Sequence, residues 1–470
     1  MNNPNSKLSH TLLEFKDCSD LTHRNYPEID IDLVFFSHQV DQDKLFREVM
    51  NPLLNVQKEE VSALLKQSQF SFITDSKVLI KDILAGQVAV YFNEDVYVID
   101  VFGVESRSVT QSETESVITG SHDAFTEQAG VNIALIRNRI KSSHLKVIKL
   151  SVGEITKTDV YILYIKDIAN MDYVDEIVYR IKNIEIDAVF DTSMLLQFID
   201  DFPYSIFPQF LTSERPEAIS SKLVAGRVVG FVDGSPSALS APNSFFEFFS
   251  SSDDYNQRWM LGTASRILRL VALAITLLFT ALYVSITTYH YEMIPENLLL
   301  TLTESRSRVP FPPIFEAIFM ETTIELLREA GARLPTKIGQ TIGIVGGIVI
   351  GQAAVQAGLT SNILIIAVAS SAITSYVTPS YVMSASIRLL RFGLIILAGI
   401  WGNFGLAIGI AAIVIHLSGI TSLGSSYLTP VAPFQPKDWL DTFIIAPFRF
   451  LKNRPTQSKS PNPIRNRMKK

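Results

Sequence analysis

The distribution of apolar residues along the chain changes near residue 260. Before this point, apolar residues occur in short runs that charged residues interrupt. Beyond Arg269 they form long runs without Asp, Glu, Lys or Arg, beginning with Leu270–Tyr291. A helix of this length crosses a hydrocarbon core of about 30 Å at about 1.5 Å per residue. The pattern therefore predicts a soluble N-terminal half followed by a polytopic α-helical membrane domain.

Two further apolar runs extend the predicted membrane domain. Ile338–Ile387 has room for two crossings, or for one crossing and a re-entrant piece. Phe392–Pro436 has room for one long span, or for two short spans broken near Gly402. We assign residues 241–440 to the membrane domain and expect four helices in it, with five as the alternative.

Flanking charges predict how these helices are oriented. Arg258, Arg266 and Arg269 precede the first run, which places its start and the N-terminal half in the cytoplasm. Residues 441–470 are basic and rich in proline, so they are predicted to be a disordered cytoplasmic tail that touches anionic membrane lipid. If both ends of the chain lie in the cytoplasm, the number of spans must be even.

Shorter patterns predict an α/β fold for the soluble half, built as two small tandem domains. Residues 1–40 carry little pattern and are expected to be poorly ordered. The first domain, 41–143, contains a hairpin signal around an Asn-Glu-Asp turn and ends in a helix with a basic C-terminus. The second domain, 144–240, is predicted to end in a strand over Lys222–Val232.

Composition and motifs exclude several functional classes. The net charge of -6 argues against nucleic-acid binding. There is no Walker A loop, no His-Glu-x-x-His and no Cys/His spacing typical of a metal site. We therefore predict no metal, no cofactor and no catalytic residues, and an enzyme is the least favoured class.

A row of glycines is the most specific physical signal in the membrane domain. The glycines recur every four residues and share one face of a helix, where another backbone can approach closely. The row predicts either packing within the chain or association of several copies around an axis. Gln352 is near this face, and buried amides on membrane helices tend to face a bundle interior or a watery path. The row consists of Gly339, Gly343, Gly347 and Gly351.

Two further features bear on a pore. Val345 and Val349, one turn apart, are our candidates for an apolar constriction. Residues 309–337 are predicted to form an amphipathic or re-entrant element at the membrane interface. Its carboxylates are interpreted either as a solvated helix face or as an acidic ring at a pore mouth. These carboxylates belong to Glu321, Glu325 and Glu329.

As a set, five segments make the chain resemble a known family. Their order and spacing are similar to those of the A subunit of the GerA-type germinant receptors of endospore-forming bacteria. The segments are Glu105–Ile140, Pro208–Glu217, Leu223–Pro236, Phe245–Tyr255 and Gly331–Gly358.

The resemblance implies a multi-pass protein of the spore inner membrane that acts with a transporter-like B subunit and a C-subunit lipoprotein. It implies an oligomeric ion channel that opens when germinant is sensed, with the glycine row packing pore helices. Arginines of the soluble half are expected to pair with carboxylates such as Glu113, within their domain or across a subunit contact. The residues expected at this soluble-domain interface are Arg107, Glu115, Phe125, Thr126, Glu127, Arg137 and Arg139.

Three alternatives stay open at this point. A related subunit that supports release of small solutes such as dipicolinic acid would have much the same sequence pattern. A secondary transporter is favoured by spans that glycine and proline interrupt. A membrane-anchored scaffold would need neither the glycine row nor glutamines within the bilayer.

Overall fold

The computed structural model describes residues 7–103, 112, 115, 119–334, 346–347 and 349–467. Its N-terminal half contains two five-stranded antiparallel sheets, and its C-terminal half is helical. The predicted division into an α/β half and a helical half is confirmed.

The first sheet has the strand order β1-β2-β4-β5-β3. Alternate residues of β2 point to opposite faces, and both faces are covered. Helices α1 and α2 pack on one face, and short helical turns between residues 42 and 64 cover the other. The bounds are α1 Lys7–Glu14, β1 Leu21–Tyr26, β2 Ile31–Phe36, β3 Ser71–Phe72, α2 Ser76–Leu84, β4 Val88–Phe92 and β5 Asp95–Ile99.

The expectation of a poorly ordered segment 1–40 is wrong for residues 7–40, which supply α1 and two strands of the first sheet. Strand β1, with the sequence LTHRNY, lies at the edge of the sheet and is largely polar and exposed. An edge strand needs no apolar alternation on its solvent side, so it left little pattern to detect. The hairpin of β4 and β5 is confirmed, with Phe92 paired to Asp95.

The second sheet repeats the strand order of the first, as β6-β7-β9-β10-β8. Helices α3 and α6 pack on one face, and α4 and α5 pack on the other. The bounds are α3 Ala129–Arg139, β6 Leu145–Val152, β7 Thr158–Ile165, α4 Met171–Lys182, α5 Thr192–Ile199, β8 Leu211–Ser213, α6 Pro216–Val224, β9 Val228–Val232 and β10 Ala238–Ala241.

Two predicted boundaries in this region are wrong. Helix α3 belongs to the second domain, because Ile133 and Ile136 pack against Leu145 and Phe231 of the second sheet. A division after residue 143 would separate this helix from the core that stabilises it. The predicted strand Lys222–Val232 begins instead as the end of α6, and β9 starts only after a turn at Gly226, whose φ of +89° favours glycine.

The helical half contains two helices, among the described residues, that are long and apolar enough to cross a membrane, α7 and α11. A shorter apolar helix, α10, packs against α7. Residues 349–356 are also helical. The bounds are α7 Trp259–Tyr289, α8 Glu296–Arg306, α9 Pro313–Arg333, α10 Asn362–Ser375 and α11 Tyr381–Gly419.

Helix α11 is a hairpin of two helical legs rather than one rod. Gly402 breaks it with φ 59° and ψ -140°, a conformation that glycine accepts readily. Ser386, near the start of α11, donates a hydrogen bond to the carbonyl of Ile206, and His416, near its end, bonds Ser205 at 2.9 Å. Both ends of α11 therefore meet the second α/β domain. We call residues 381–401 the outward leg and residues 403–419 the return leg.

The two legs pack through small residues. Substitutions at two glycines, one between the legs and one outside their contact, should therefore affect stability differently. A methyl group at Gly405 would overlap the carbonyl oxygen of Leu397, whereas one at Gly393 would meet no described atom within 4 Å. We expect Gly405→Ala to destabilise the protein by about 1–3 kcal/mol, because the legs must separate. Gly393→Ala is expected to be neutral or slightly stabilising. Thermal midpoints in detergent that fall equally for both variants would contradict the hairpin packing.

The C-terminal segment is folded, so the prediction of a disordered tail is wrong for residues 441–467. Gln457 and Ser458 are buried against the second α/β domain. The Gln457 carbonyl accepts a hydrogen bond from the Tyr173 hydroxyl at 3.2 Å, and Arg454 donates to the Val224 carbonyl at 2.9 Å. Composition favoured disorder, but these long-range contacts provide the partners that a tail in isolation would lack.

Candidate functional site

Helix α9 packs one face against α7, α10 and α11. Its buried face includes Ala317, Met320 and Glu321. Its other face is exposed at Phe315, Phe319 and Leu326, so the described part of the predicted element at 309–337 has one face on the bundle and one face away from it. Because its apolar residues are spread around the helix, the sequence did not reveal which face is buried.

A buried ion pair lies at the centre of this packing. Arg391 and Glu321 are both 0% exposed, and Arg391 Nη2 lies 2.7 Å from Glu321 Oε2. Thr280 donates to the other Glu321 oxygen at 2.7 Å, and Arg391 donates to Ser371 at 2.8 Å. The four residues come from α9, α11, α7 and α10, so one polar contact connects four helices.

Charged residues continue from this pair towards the second α/β domain. Arg388 Nε donates to Glu325 Oε1 at 2.9 Å. Arg328 donates to Ser375 at 2.8 Å and lies 4.5 Å from the ring centroid of Tyr376. We call Glu321, Glu325, Arg328, Arg388 and Arg391 the charge cluster. Three cations and two carboxylates give it a formal net charge of +1.

The predicted pore-mouth carboxylates thus have three different environments. Glu321 and Glu325 are paired with arginines of the same chain, and Glu329 pairs with Arg333 one turn along its own helix at 2.6 Å. The exposed pair of Glu329 is typical of a solvated helix face. Neither interpretation described Glu321 and Glu325, because their nearest arginine partners lie on α11. Periodicity along one helix carries no information about which other helix faces it.

A cavity of about 1630 Å³ separates the charge cluster from the second α/β domain. Arg328 and Arg388 line one side of it, and Lys222 and Glu247 line another. Lys222 and Arg227 both pair with Glu247. Burial opposes ionisation of Glu247, but these two cations hold its pKa below the usual value. The cavity is thus bordered by charges of both signs.

The glycine row is described in part. Gly339, Gly343 and Val345 lie outside the described residues. A methyl group at Gly347 would have no described neighbour within 4 Å, and one at Gly351 would just reach Ile365 at 4.0 Å. Val349 is 57% exposed and Gln352 is exposed. Among the described residues, the row is therefore open at Gly347 and buried at Gly351, next to Ile365 of α10.

The residues expected at a soluble-domain interface are mostly packed inside the second domain. Arg107 lies outside the described residues. Phe125 is buried against Phe231 with ring centroids 4.9 Å apart, and Thr126 donates its amide to Asn132 at 2.8 Å. Burial raises the pKa of Glu115, which accepts a hydrogen bond from Ser213. Glu127 is exposed.

The two described arginines of this set pair with residues that the sequence did not indicate. Arg137 is buried and donates to Asp20 Oδ1 at 2.7 Å, so its partner is a carboxylate of the soluble half, but not one of the three proposed as examples, Glu113, Glu115 and Glu127. Arg139 pairs with Asp123 at 2.6 Å. The sequence does not indicate this pairing, because Asp20 lies in a segment with little helix or strand pattern.

Asp201 joins the second α/β domain to the segment that follows the α11 hairpin, and Asp200 is its neighbour in the chain. Asp201 accepts hydrogen bonds from Arg180, Thr421 and the Gly424 amide. Burial opposes its ionisation, but these donors hold the pKa of Asp201 below the usual value. Asp200, at the C-terminus of α5, is half-buried, and this burial together with the Asp201 charge raises its pKa to about 7.

The raised pKa of Asp200 predicts that the stability of the folded chain depends on pH. Since the folded chain keeps a proton on Asp200 up to about pH 7, whereas the unfolded chain loses it near pH 4, stability falls as pH rises between these values. We expect Asp200→Asn to remove this fall and to gain about 2 kcal/mol at pH 8. Asp201→Asn, the matched variant, should lose stability at pH 8. Melting curves in which Asp200→Asn keeps the full difference between pH 5 and pH 8 would contradict this assignment.

The chain is similar to known spore germination proteins over most of its length. Residues 10–457 match the model of the Bacillus/Clostridium GerA spore germination protein family. Spore germination protein GerQA of Bacillus cereus is 43% identical over 425 residues, covering 87% of this chain and 85% of that protein. Spore germination protein A1 of Bacillus subtilis (strain 168) is 39% identical over 437 residues, covering 91% and 89%.

One solved structure is also similar. The crystal structure of the N-terminal domain of the A subunit of the Bacillus megaterium spore germinant receptor GerK3 is 26% identical, with a TM-score of 0.39. The match covers 51% of this chain and 94% of that one. The family model spans nearly the whole chain, and both full-length relatives exceed 30% identity over most of their length. The chain therefore belongs to the GerA family of spore germination proteins.

Proposed function

We propose that this chain is the A-type subunit of a nutrient germinant receptor in the spore inner membrane, and that several copies form an ion channel that opens when germinant is sensed. Family membership supports the receptor role. The observation that carries the channel role is Gly347 of the glycine row, where a methyl group would meet no described atom within 4 Å. A small residue that no described helix of the same chain covers leaves room for the backbone of a second copy.

We further propose six membrane crossings instead of four. The crossings are α7, α9, the segment ending at residue 356, α10 and the two legs of α11. Gly358 lies beside the Arg308 carbonyl, and the Asn362 amide donates to Ser305, so the start of α10 is beside the end of α8. At the other end of α10, Arg328 of α9 donates a hydrogen bond to Ser375. An even number of crossings puts both termini on the cytoplasmic side, and Arg388 and Arg391 lie towards that side, as the positive-inside rule favours.

The partners we propose are further copies of the chain, a transporter-like B subunit, a C-subunit lipoprotein and membrane lipid. In this complex the charge cluster holds α9 in place next to the segment that carries the glycine row. Val345 and Val349 are our candidates for the apolar constriction of the pore. Glu329, exposed at the end of α9, is the carboxylate best placed to face a watery pore mouth.

A secondary transporter is the alternative that the break at Gly402 favours, because transporters bind solutes at interrupted helices. The polar groups freed at this break already have partners, however. The Asn403 amide meets His290 at 3.3 Å, and the Asn403 side chain accepts a hydrogen bond from Ser285 at 2.7 Å. The break is thus satisfied without a solute.

The experiment that tests the channel is reconstitution of the full chain in lipid, with its mass and single-channel conductance measured. Gly347→Leu is expected to abolish oligomers and conductance, because the leucine blocks the approach of the second copy. Gly393→Leu, on the outward leg and equally free of described neighbours, is the control and should conduct normally. A well-folded monomer that never conducts, even with its partner subunits, would overturn the channel proposal.

A further inference from the structure

The last turn of α5 and the loop after it present a group of exposed apolar side chains. Phe198, Phe202, Tyr204 and Ile206 are all exposed, and Tyr204 is 100% exposed. Burying such side chains is favourable, and a soluble surface rarely collects several large ones in so short a stretch. We call residues 198–206 the aromatic loop.

The aromatic loop is held in one conformation. The Phe202 amide donates to Gln209 Oε1 at 2.9 Å, and Gln209 Nε2 donates back to the Phe202 carbonyl at 2.7 Å. Gln209 is itself buried. The Ser205 amide also closes a turn onto the Phe202 carbonyl at 3.0 Å. The exposed side chains are therefore displayed by a fixed loop, and they do not have to be ordered when they meet a partner.

The position of the loop indicates that partner. Ser205 bonds His416 on the return leg, and Ser386 on the outward leg donates to the Ile206 carbonyl. Phe207, the next residue, is buried between His416 and Phe245. The aromatic loop thus lies beside the ends of both legs of the α11 hairpin, at the level where the proposed crossings leave the membrane.

From this geometry we propose that the aromatic loop inserts into the lipid headgroup region and seats the second α/β domain on the inner face of the membrane. Tyr and Phe are suited to this boundary, because their rings enter the acyl region while the tyrosine hydroxyl stays wet. The depth of such insertion is about 5–10 Å. Within the loop, the Asp201 carboxylate is turned inward onto Arg180 and Thr421, so it does not repel anionic lipid. The inference rests on the proposed membrane location of the helical half.

The aromatic loop lies at one end of the second sheet, and the other end of that sheet provides a control position. Ile155, in the turn that connects β6 to β7, is 76% exposed. Strand β10 ends at Ala241, next to Asn243, whose amide donates to Ser422 after the return leg. The strand pairing places the β6–β7 turn at the other end, about 20 Å away at about 3.3 Å per residue. Ile155 is therefore exposed, apolar and remote from the proposed membrane.

The test uses the full chain in nanodiscs, with Cys18→Ser removing the single native thiol. An environment-sensitive dye is attached at Tyr204→Cys, at Ile155→Cys and, on the outward leg, at Ile396→Cys. Quenching by iodide in water is compared with quenching by lipids that carry a nitroxide near the headgroup. We expect the Tyr204 dye to be quenched by lipid and several-fold less by iodide than the Ile155 dye. Phe202→Cys provides a second position should Tyr204→Cys fail to fold.

Each of the other outcomes contradicts either the insertion of the loop or the membrane location on which it rests. If the Tyr204 dye is as accessible to iodide as the Ile155 dye while the Ile396 dye is quenched by lipid, the inference fails and the membrane location stands. If the Ile396 dye is also open to iodide, the membrane location fails with it. A Tyr204 dye protected from iodide but not quenched by lipid would mean that protein, and not lipid, covers the loop, which also overturns the inference.

Discussion

Replacing Arg391 by methionine is expected to destabilise the helical half by about 3–5 kcal/mol, because it leaves the Glu321 carboxylate buried without its cation. Glu321 is 0% exposed and has Thr280 as its other partner, and one hydroxyl cannot compensate a buried charge. We expect loss of the native oligomer or monomer peak after mild heating in detergent, at a temperature where the unchanged protein survives.

Two further variants make this prediction specific. Removing both charges, as Arg391→Met with Glu321→Met, is expected to restore most of the stability, since a well-packed apolar pair can replace a buried ion pair. Arg333→Met breaks an exposed pair with Glu329 on the same helix and should cost under about 1 kcal/mol. If the single and double variants at the buried pair were equally unstable, loss of packing and not the unpaired charge would be the cause.

Replacing Arg137 by methionine is expected to cost about 3–5 kcal/mol in the soluble half, for the same physical reason. Arg137 lies on α3 of the second domain, whereas its partner Asp20 and the Phe36 ring, 4.0 Å from the guanidinium, belong to the first. Burial alone would lower the pKa of Arg137, but the Asp20 carboxylate raises it above the usual value. We therefore expect the contact between the two domains to loosen, with faster proteolysis between them and a lower melting temperature.

The control is two residues along the same helix. Arg139 pairs with Asp123 at a partly exposed site, so Arg139→Met should change stability by under about 1 kcal/mol. The prediction also separates two roles for Arg137. If Arg137→Met left the monomer fully stable but prevented assembly, the residue would act at a subunit contact, and the assignment to the domain contact would be wrong.

Several features of this protein were determined by its sequence alone. The change from interrupted to continuous apolar runs divides the chain into an α/β half and a helical half. Strands and helices of a water-soluble core alternate apolar and polar residues, whereas a helix fit to cross a membrane is apolar throughout. The hairpin of β4 and β5 follows from two β-rich runs around a short polar turn. The set of motifs identified the family, as the match over residues 10–457 confirms.

Other features were decided by the tertiary structure. The partners of Glu321 and Arg137 lie far along the chain, on Arg391 and Asp20, and helical periodicity does not specify which distant face supplies a counter-charge. The direction of the chain after Gly402 likewise depends on packing between the legs, since a glycine permits a reversal without requiring it. Residues 441–467 fold because buried sites on the second domain accept Gln457 and Ser458, whereas their composition by itself favours disorder. Local sequence sets local conformation and burial, but the pairing of distant charges and the folding of a polar tail require surfaces that exist only after the chain has packed.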